Sequence, residues 1–162
     1  MSELHGNGIA FLIANGFDEM ALTTVQKALV KEGLKTHNIA PETAVVNGWN
    51  GQGWGCFFTV DTPINQALAS DFSGLIIPNG QRALDKLAKT AHTRRIVENF
   101  LRAGKPVLFL GPRENAMTIL SEIATDHLAQ IRFVGETAEE LETSVTQFVT
   151  AMGEVEELVN AA

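Results

Sequence analysis

Short apolar runs alternate along the chain with stretches whose apolar residues recur every three or four positions. The clearest runs are 8–16, 74–80 and 106–110. Unbroken apolar runs bounded by glycine or proline are typical of strands that are covered on both faces. Because helical patterns separate them, the order predicts one α/β domain over residues 1–162 with a mainly parallel sheet between two helical layers.

Three further stretches have weaker strand character. Residues 34–40 and 131–135 are short β-type runs, and 44–60 consists of two such runs around a glycine-rich turn. The first two are predicted to join the sheet. The third is predicted to form a hairpin or a pair of arms.

The helices are predicted from their ends and their apolar stripes. Asp18 is placed to cap the first helix and Gly33 to end it, and a second helix is predicted over 90–103. Thr137 and Glu140 form a capping-box pattern before the last helix. The residues predicted to face inward are Ala21, Leu22, Val25, Ala28, Leu29, Ile96, Val97, Phe100, Leu101, Met117, Leu120, Ile123, Leu141, Val145, Phe148 and Met152.

Composition and charge argue against a nucleic-acid-binding, membrane or secreted protein. The net charge is −7, and no base follows Arg132 although seven glutamates do. An acidic surface repels phosphate backbones, so no nucleic-acid partner is expected. No apolar run has the length of a membrane span, no signal peptide is recognisable, and one cysteine allows no internal disulfide. These features predict a cytoplasmic protein without a membrane partner.

Three loops are predicted to meet at the carboxyl edge of the sheet, where ligands bind in such folds. They are Asn15–Asp18, Pro78–Arg82 and Gly111–Glu114. Each loop leads into a helix, whose first N–H groups and dipole favour a small anion. The residues predicted to line this site are Asn15, Gly16, Asp18, Glu19, Asn79, Gly80, Arg82, Gly111, Pro112 and Arg113.

Taken together, three stretches resemble the ThiJ/PfpI (DJ-1-like) superfamily. They are 14–23, 46–64 with its Trp-x4-Trp-Gly run, and "LIIPNG" followed by "AGKPVLFLGP". The resemblance covers about residues 8–120 and implies a flavodoxin-like, three-layer α/β/α sandwich. Beyond about residue 120 the chain departs from the family pattern and is shorter.

The resemblance also implies an active site that this sequence lacks. The family's reactive cysteine and following histidine correspond to Gly111 and Pro112, and its partner carboxylate to Ala21. The usual Pro-Gly-Gly after the third core strand is Pro78-Asn79-Gly80. The leading hypothesis is therefore a catalytically silent domain that binds a small acidic metabolite or a protein, as a homodimer or larger homo-oligomer.

Two alternatives remain open. In the first, the chain is an enzyme of this superfamily that uses other residues: Asp18, Glu19, Arg113 or the lone thiol of Cys56. Asp18 and Glu19 are equally explained by helix capping, and Arg113 by a surface ion pair with Glu114 or Glu19. Cys56 has no base beside it in sequence.

In the second alternative, the chain is a structural or stress-related partner domain. It then uses the aromatic arm, with Trp49, Trp54 and Phe57, as its interface. The scattered histidines, His5, His37, His92 and His127, share no ligand spacing with Cys56, so no metal is predicted. No dinucleotide or P-loop motif is present, so no cofactor is predicted.

Overall fold

The sheet and its helices follow the predicted order, with additional short elements. The structure is a computed structural model that describes residues 8–121, 130–135 and 137–161, with the backbone alone for 138 and 153–161. The strands are β1 Ile9–Leu12, β2 Thr36–Ala40, β3 Val45–Trp49, β4 Trp54–Thr59, β5 Thr62–Pro63, β6 Gly74–Pro78, β7 Val107–Leu110 and β8 Ile131–Phe133. The helices of the described residues are α1 Glu19–Lys31, α2 Gln81–Ala88, α3 Ala91–Arg102, α4 Arg113–Leu120 and α5 Ala138–Ala161.

Six strands form one sheet in the order β5-β2-β1-β6-β7-β8, and each pairing in it is parallel. Without β5 this is the flavodoxin-like strand order, whose switch point lies between β1 and β6. Every residue of β1, β6 and β7 is buried, because helices cover both faces of these central strands. The predicted three-layer α/β/α architecture is confirmed.

The helices form two layers. On one face α1 contacts α5, and on the other α2, α3 and α4 contact one another. Each predicted inward position that is described is buried, apart from Ala28 and Met117, which are partly buried; Ile123 lies outside the described residues. At the centre of the α5 contact, the ring of Phe148 lies directly over Gly74, where a Cβ would collide with it.

The ends of α1 agree with the predicted capping. The side chain of Asp18 accepts a hydrogen bond from the N–H of Ala21 at 3.3 Å. At the other end Gly33 adopts a φ of +81°, a conformation that glycine reaches without a Cβ clash. At the start of α5, the Thr137 hydroxyl oxygen accepts from the N–H of Glu140 at 3.2 Å.

The region between β4 and α3 differs from the prediction. The short strand β5 and two 3-10 segments, Ile64–Gln66 and Ala69–Asp71, were not predicted, and helix α2 was predicted only as a helix that follows the second loop, without an end. Carbonyl groups in and directly after the two 3-10 segments accept hydrogen bonds from cationic side chains of neighbouring elements rather than from the backbone of a strand. Arg95 donates to the carbonyls of Ile64 and Ala67, and Lys105 to those of Ala69 and Phe72. Such tertiary hydrogen bonds leave no periodic signal in the sequence.

The 44–60 region forms the predicted hairpin, outside the main sheet. Strands β3 and β4 pair antiparallel with a register shift between Asn47 and Trp49. On the inner face Val46 is buried and Phe58 meets the ring of Phe17 edge-on at 4.9 Å. The outer face carries Phe57, which is 72% exposed. The hairpin therefore covers the first loop with one face and leaves the other uncovered.

Candidate functional site

Backbone hydrogen bonds hold the first two predicted loops together at the switch point. The N–H of Asp18 donates to the carbonyl of Asn79 at 2.8 Å. Gly16 adopts a φ of +94°, and a Cβ there would lie 2.7 Å from the Cβ of Arg82. Glycine is required at position 16 because α2 begins directly against it.

The hairpin forms the third wall of this site. The N–H of Gly16 donates to the carbonyl of Asn47 at 2.8 Å, and the N–H of Trp49 donates to that of Phe17 at 2.7 Å. The side-chain oxygen of Asn15 accepts from the N–H of Asn47 at 2.8 Å, while its Nδ2 reaches Glu42 at 3.4 Å. Asn15 is thus used to fasten the hairpin to the end of β1.

These walls enclose an open cavity of about 220 Å³, which we call the edge cavity. Its lining residues are Gly16, Asp18, Trp49, Asn50, Gly51, Asn79 and Gly80. Four of them were predicted from the loops, and Trp49 had been assigned to an interface. Asn50 and Gly51 were missed, because no sequence signal shows that a hairpin outside the main sheet folds over its carboxyl edge.

The third predicted loop lies behind Asn79 rather than in the cavity wall. Gly111 is buried, whereas Pro112 and Arg113 are exposed. A Cβ at position 111 would lie 2.8 Å from Nδ2 and 3.0 Å from Cγ of Asn79, and 3.1 Å from a ring carbon of Phe109. The space beside Gly111 is therefore filled by the side chain of Asn79.

Asn79 is held in that position by hydrogen bonds. Its side-chain oxygen accepts from the N–H of Gly80 at 2.8 Å and from Nδ2 of Asn115 at 3.3 Å. Gly111 does not have a positive φ, unlike Gly80, whose φ is +129°. The turn after β7 is thus relaxed and closed, whereas the turn after β6 requires glycine.

The carboxylates of Asp18 and Glu19 are both engaged in structural contacts. Asp18 caps α1, as described above. Oε1 of Glu19 accepts from the backbone N–H of Cys56 at 2.9 Å. The Glu19 side chain lies against Gly48 and Gly55 so closely that a Cβ at either glycine would collide with it. Glu19 therefore fastens the hairpin to α1.

Cys56 is exposed on β4, away from the turn at Gly111, whose nearest side chains are Asn79 and Phe109. Its backbone N–H donates to the Glu19 carboxylate, which offers a thiolate no positive charge, and its carbonyl accepts from Nδ2 of Asn47 at 3.1 Å. In the described part of the chain, Arg113 forms no ion pair with Glu19 or Glu114.

Arg82 lies at the rim of the edge cavity over two aromatic rings. Its Cζ is 4.7 Å from the ring centre of Trp49 and 5.4 Å from that of Trp54. The two rings meet edge-on at 5.5 Å. These cation–π contacts hold the guanidinium group beside the cavity mouth.

Neither a metal centre nor a membrane span is found in the described residues. Within 8–121, 130–135 and 137–161, no three His, Cys, Asp or Glu side chains converge as metal ligands would. Across the same ranges, no helix combines the length and apolar character needed to cross a bilayer. His5 and His127 lie outside the described residues.

Comparison with known proteins adds the family. The sequence model of the DJ-1/PfpI family matches residues 7–112, which is more than half of the chain. The chain belongs to the DJ-1/PfpI family. A search of curated proteins gives no match.

Solved structures share the fold at low sequence identity. A ThiJ/PfpI domain protein from Brachyspira murdochii has a TM-score of 0.71 at 14% identity, over 91% of this chain and 97% of that one. A DJ-1 superfamily protein from Salmonella typhimurium, solved as a cysteine-to-alanine mutant, has a TM-score of 0.68 at 17% identity. The match covers 94% of this chain and 96% of that one.

A longer protein is also similar. The two-domain protein from Anabaena variabilis, with DJ-1/ThiJ/PfpI-like and ferritin-like domains, has a TM-score of 0.72 at 18% identity. The match covers 90% of this chain, which spans about half of that protein, 48% of its length. Identities this low establish the shared fold alone.

Proposed function

We propose that this chain is a catalytically silent DJ-1/PfpI domain that acts as an interaction module. One observation carries the proposal: the side chain of Asn79 fills the space beside Gly111. In the family pattern a thiol stands at position 111 and glycine at position 79. Here both positions differ, so that the space for a reactive side chain and the side chain itself are missing together.

The surrounding groups support the same conclusion. Nucleophilic catalysis needs an activated thiol or hydroxyl with a base in hydrogen-bond reach. Pro112 supplies no base where the family has histidine, and Ala21 no carboxylate. Asp18 and Glu19, which an alternative enzyme would use, are occupied in capping α1 and in fastening the hairpin.

The first test is an assay of the purified protein. Peptides, glyoxals and glycated thiols are offered to the wild type and to Cys56→Ala, and we expect turnover no faster than the buffer for both. Turnover by the wild type that is lost in Cys56→Ala would identify a relocated thiol enzyme. Turnover that persists in the variant would point to Asp18, Glu19 or Arg113. Either result contradicts the proposal.

The second test restores the missing space. We expect Gly111→Cys alone to be destabilised, because its Cβ meets Asn79, and the double variant Gly111→Cys with Asn79→Gly to recover most of the stability. Both are made on the Cys56→Ala background, so that iodoacetamide labelling reports position 111. Equal stability of the single and double variants would show that Asn79 does not close the turn.

The interaction surface in this proposal is the outer face of the hairpin, and its partner is a second copy of the chain. Residues 44–60 contain no charged side chain in a chain of net charge −7. Phe57 is 72% exposed, Trp54 51% and Val45 48%. Strand β4 pairs only with β3, and it has none of the charges or prolines that protect edge strands. Two acidic molecules repel least where they meet through this neutral surface.

Self-association is tested by sedimentation of the wild type, Phe57→Lys and Leu68→Lys over a concentration series. Leu68 is 53% exposed and lies outside the hairpin, so it is the matched control. We expect a dimer for the wild type and the control, and a monomer for Phe57→Lys. A monomeric wild type, or a dimer unaffected by Phe57→Lys, would contradict the hairpin interface.

A second candidate function is the binding of a small acidic metabolite in the edge cavity. The observation that favours it is the guanidinium group of Arg82, held over Trp49 and Trp54 at the cavity mouth. The Asp18 carboxylate on the cavity wall acts against the binding of an anion. Titration with a small carboxylate such as acetate should give saturable binding that Arg82→Gln weakens about tenfold, the cost of one charge-assisted contact. Binding of equal strength to the wild type and to Arg82→Gln would contradict this second candidate function.

A further inference from the structure

A second cavity lies among α2, α3 and α4, on the opposite side of the sheet from α1 and α5. We call it the helix cavity; it measures about 130 Å³. Its lining residues are Leu87, Ala88, Thr90, Thr93, Arg94, Thr118, Ile119 and Ser121. The lining belongs to the last turns of α2 and α4, about 12 Å along these helices from the carboxyl edge. It is therefore separate from the edge cavity.

The helix cavity contains a buried hydroxyl group without a partner. Thr93 is 3% exposed, and its Oγ1 makes no hydrogen bond. Buried hydroxyl groups are normally paired, and an unpaired one destabilises the fold. Because Thr93 lines the cavity, a polar ligand in it would supply the missing hydrogen bond.

The first turn of α3 opens at the same place. The helix runs for 12 residues from Ala91, and its N-cap residue Thr90 makes no capping hydrogen bond. The Thr90 hydroxyl instead donates to the carbonyl of Lys86 at 2.9 Å. The N–H of Thr93 donates to the carbonyl of Thr90 at 3.2 Å. The N–H groups of Ala91 and His92 and the positive dipole end of α3 are left without a side-chain acceptor, an arrangement that favours an anion.

Basic residues outnumber acidic ones in the segment that contains α2 and α3, although the whole chain is acidic. Segment 81–105 contains seven basic and two acidic residues. Arg94 lines the cavity and donates through Nε to Oε1 of Glu98 at 3.0 Å, while Arg102 contacts the other oxygen of Glu98 at 3.5 Å. The Glu98 carboxylate therefore holds both guanidinium groups, and that of Arg94 is fixed beside the lining.

We propose that the helix cavity binds a tetrahedral oxyanion, namely a phosphate group, free or as the end of a phosphate monoester. Hydroxyl groups from Thr93, Thr118 and Ser121, the first N–H groups of α3 and the charge of Arg94 are the donors that such a group requires. The volume corresponds to about four waters, which suits one phosphate group. The inference is independent of the function proposed for the carboxyl edge.

The proposal is tested by titrating the ¹⁵N-labelled full chain with inorganic phosphate, against sodium chloride of equal ionic strength. We expect saturable shifts centred on the amides of 91–93 with phosphate only. A parallel titration with glycerol phosphate distinguishes the source: tighter binding than inorganic phosphate indicates a monoester, and equal or weaker binding indicates the free ion. Shifts that do not saturate, or that chloride reproduces, would overturn the proposal.

Three variants separate this site from general charge effects. Arg94→Gln should weaken phosphate binding at least tenfold, whereas Arg102→Gln, which removes the same charge from the same carboxylate outside the lining, should weaken it less than threefold. Thr93→Val should weaken binding several-fold and raise the melting temperature without phosphate, because it removes the unpaired hydroxyl. Equal losses in Arg94→Gln and Arg102→Gln would mean a diffuse electrostatic effect and overturn the proposal.

A fourth variant distinguishes the two cavities. Arg82→Gln should leave phosphate binding unchanged, because Arg82 lies at the edge cavity. If Arg82→Gln abolishes binding while Arg94→Gln does not, the anion binds at the carboxyl edge and the helix cavity is not its site. Neither result bears on the proposals that the turn at Gly111 is catalytically inactive and that the chain dimerises through the hairpin.

Discussion

The central strands and the hairpin both have apolar β-type sequences, but they lie in opposite environments. Strands β1, β6 and β7 are buried throughout, whereas no residue of β4 is fully buried. The central strands consist mainly of Leu and Ile, and the hairpin strands of Trp, Phe and Val with glycine. The central strands have a neighbour on each side and a helical layer on each face, while β4 has one neighbouring strand and one covered face. Apolar β-type sequence therefore predicts a strand, but the burial of that strand depends on its neighbours.

The glycines of the two regions differ in the same way. Gly74 lies under the ring of Phe148 and Gly111 under the side chain of Asn79, so each adjoins a group fixed by packing or hydrogen bonds. Gly55 lies under the Glu19 carboxylate, the far end of a flexible side chain. The core thus leaves less freedom around its glycines than the hairpin does.

The largest expected effect tests the comparison with one substitution made in both regions. Phe148→Ala should lower the free energy of unfolding by about 3–5 kcal/mol, because it leaves a cavity above Gly74. Phe57→Ala should change it by no more than about 0.5 kcal/mol, because this ring is exposed. Urea unfolding of the two variants below the dimerisation concentration measures both. Similar losses would mean that the hairpin packs as tightly as the core.

A smaller effect is expected when a methyl group is added under each overlying side chain. Gly74→Ala should cost about 1–3 kcal/mol, because the Phe148 ring has no space into which to move. Gly55→Ala should cost less than about 1 kcal/mol, because Glu19 gives up one hydrogen bond and turns into solvent. Thermal unfolding of the pair is the measurement. A larger loss for Gly55→Ala would show that Glu19 is held as rigidly as a core residue.

The smallest effect concerns the charge of Lys105, which lies partly buried two residues before β7. Burial lowers the pKa of Lys105 below its ordinary value of 10.5, although the nearby Asp71 carboxylate acts to raise it. Between the lowered pKa and 10.5 the unfolded chain binds more protons than the folded one, so this group makes stability rise with pH across that window.

Lys105→Met removes this term, and also the two hydrogen bonds to Ala69 and Phe72. The stability difference between wild type and variant should therefore widen as the pH is raised from about 7 to about 10, measured by urea unfolding at each pH. A constant difference would show that Lys105 titrates alike in the folded and unfolded chains.

Much of the site could be predicted from the order of the elements. The alternation of apolar runs and helical patterns indicated that the loops after β1 and β6 share the switch point, and Gly16, Asp18, Asn79 and Gly80 do line the edge cavity. The sequence also indicated that no reactive side chain stands at position 111. It did not indicate which residue fills that space, because positions 79 and 111 meet only through the pairing of β6 with β7.

The remaining features depend on contacts between distant residues. Three features have no periodic signal in the sequence. They are the 3-10 segments before β6, whose carbonyls accept from Arg95 and Lys105, the hairpin as a wall of the edge cavity, and the helix cavity among α2, α3 and α4. Thr93 in particular has the sequence context of an ordinary residue in the first turn of a helix, and only the packing of α2 and α4 around it leaves its hydroxyl group buried and unpaired.

By itself, then, the sequence determined the class of fold, the order of the core strands, the helix ends at Asp18, Gly33 and Thr137, and the presence of Gly111 and Pro112 at the turn after the fourth core strand. Local propensity and hydrophobic period are sufficient for these features, because each acts within a few turns of the chain. The tertiary structure alone decided which apolar strand stays exposed, which side chain closes the turn at Gly111, and where a second cavity opens. Those outcomes depend on which surfaces meet, and residues far apart in the chain supply both sides of each contact.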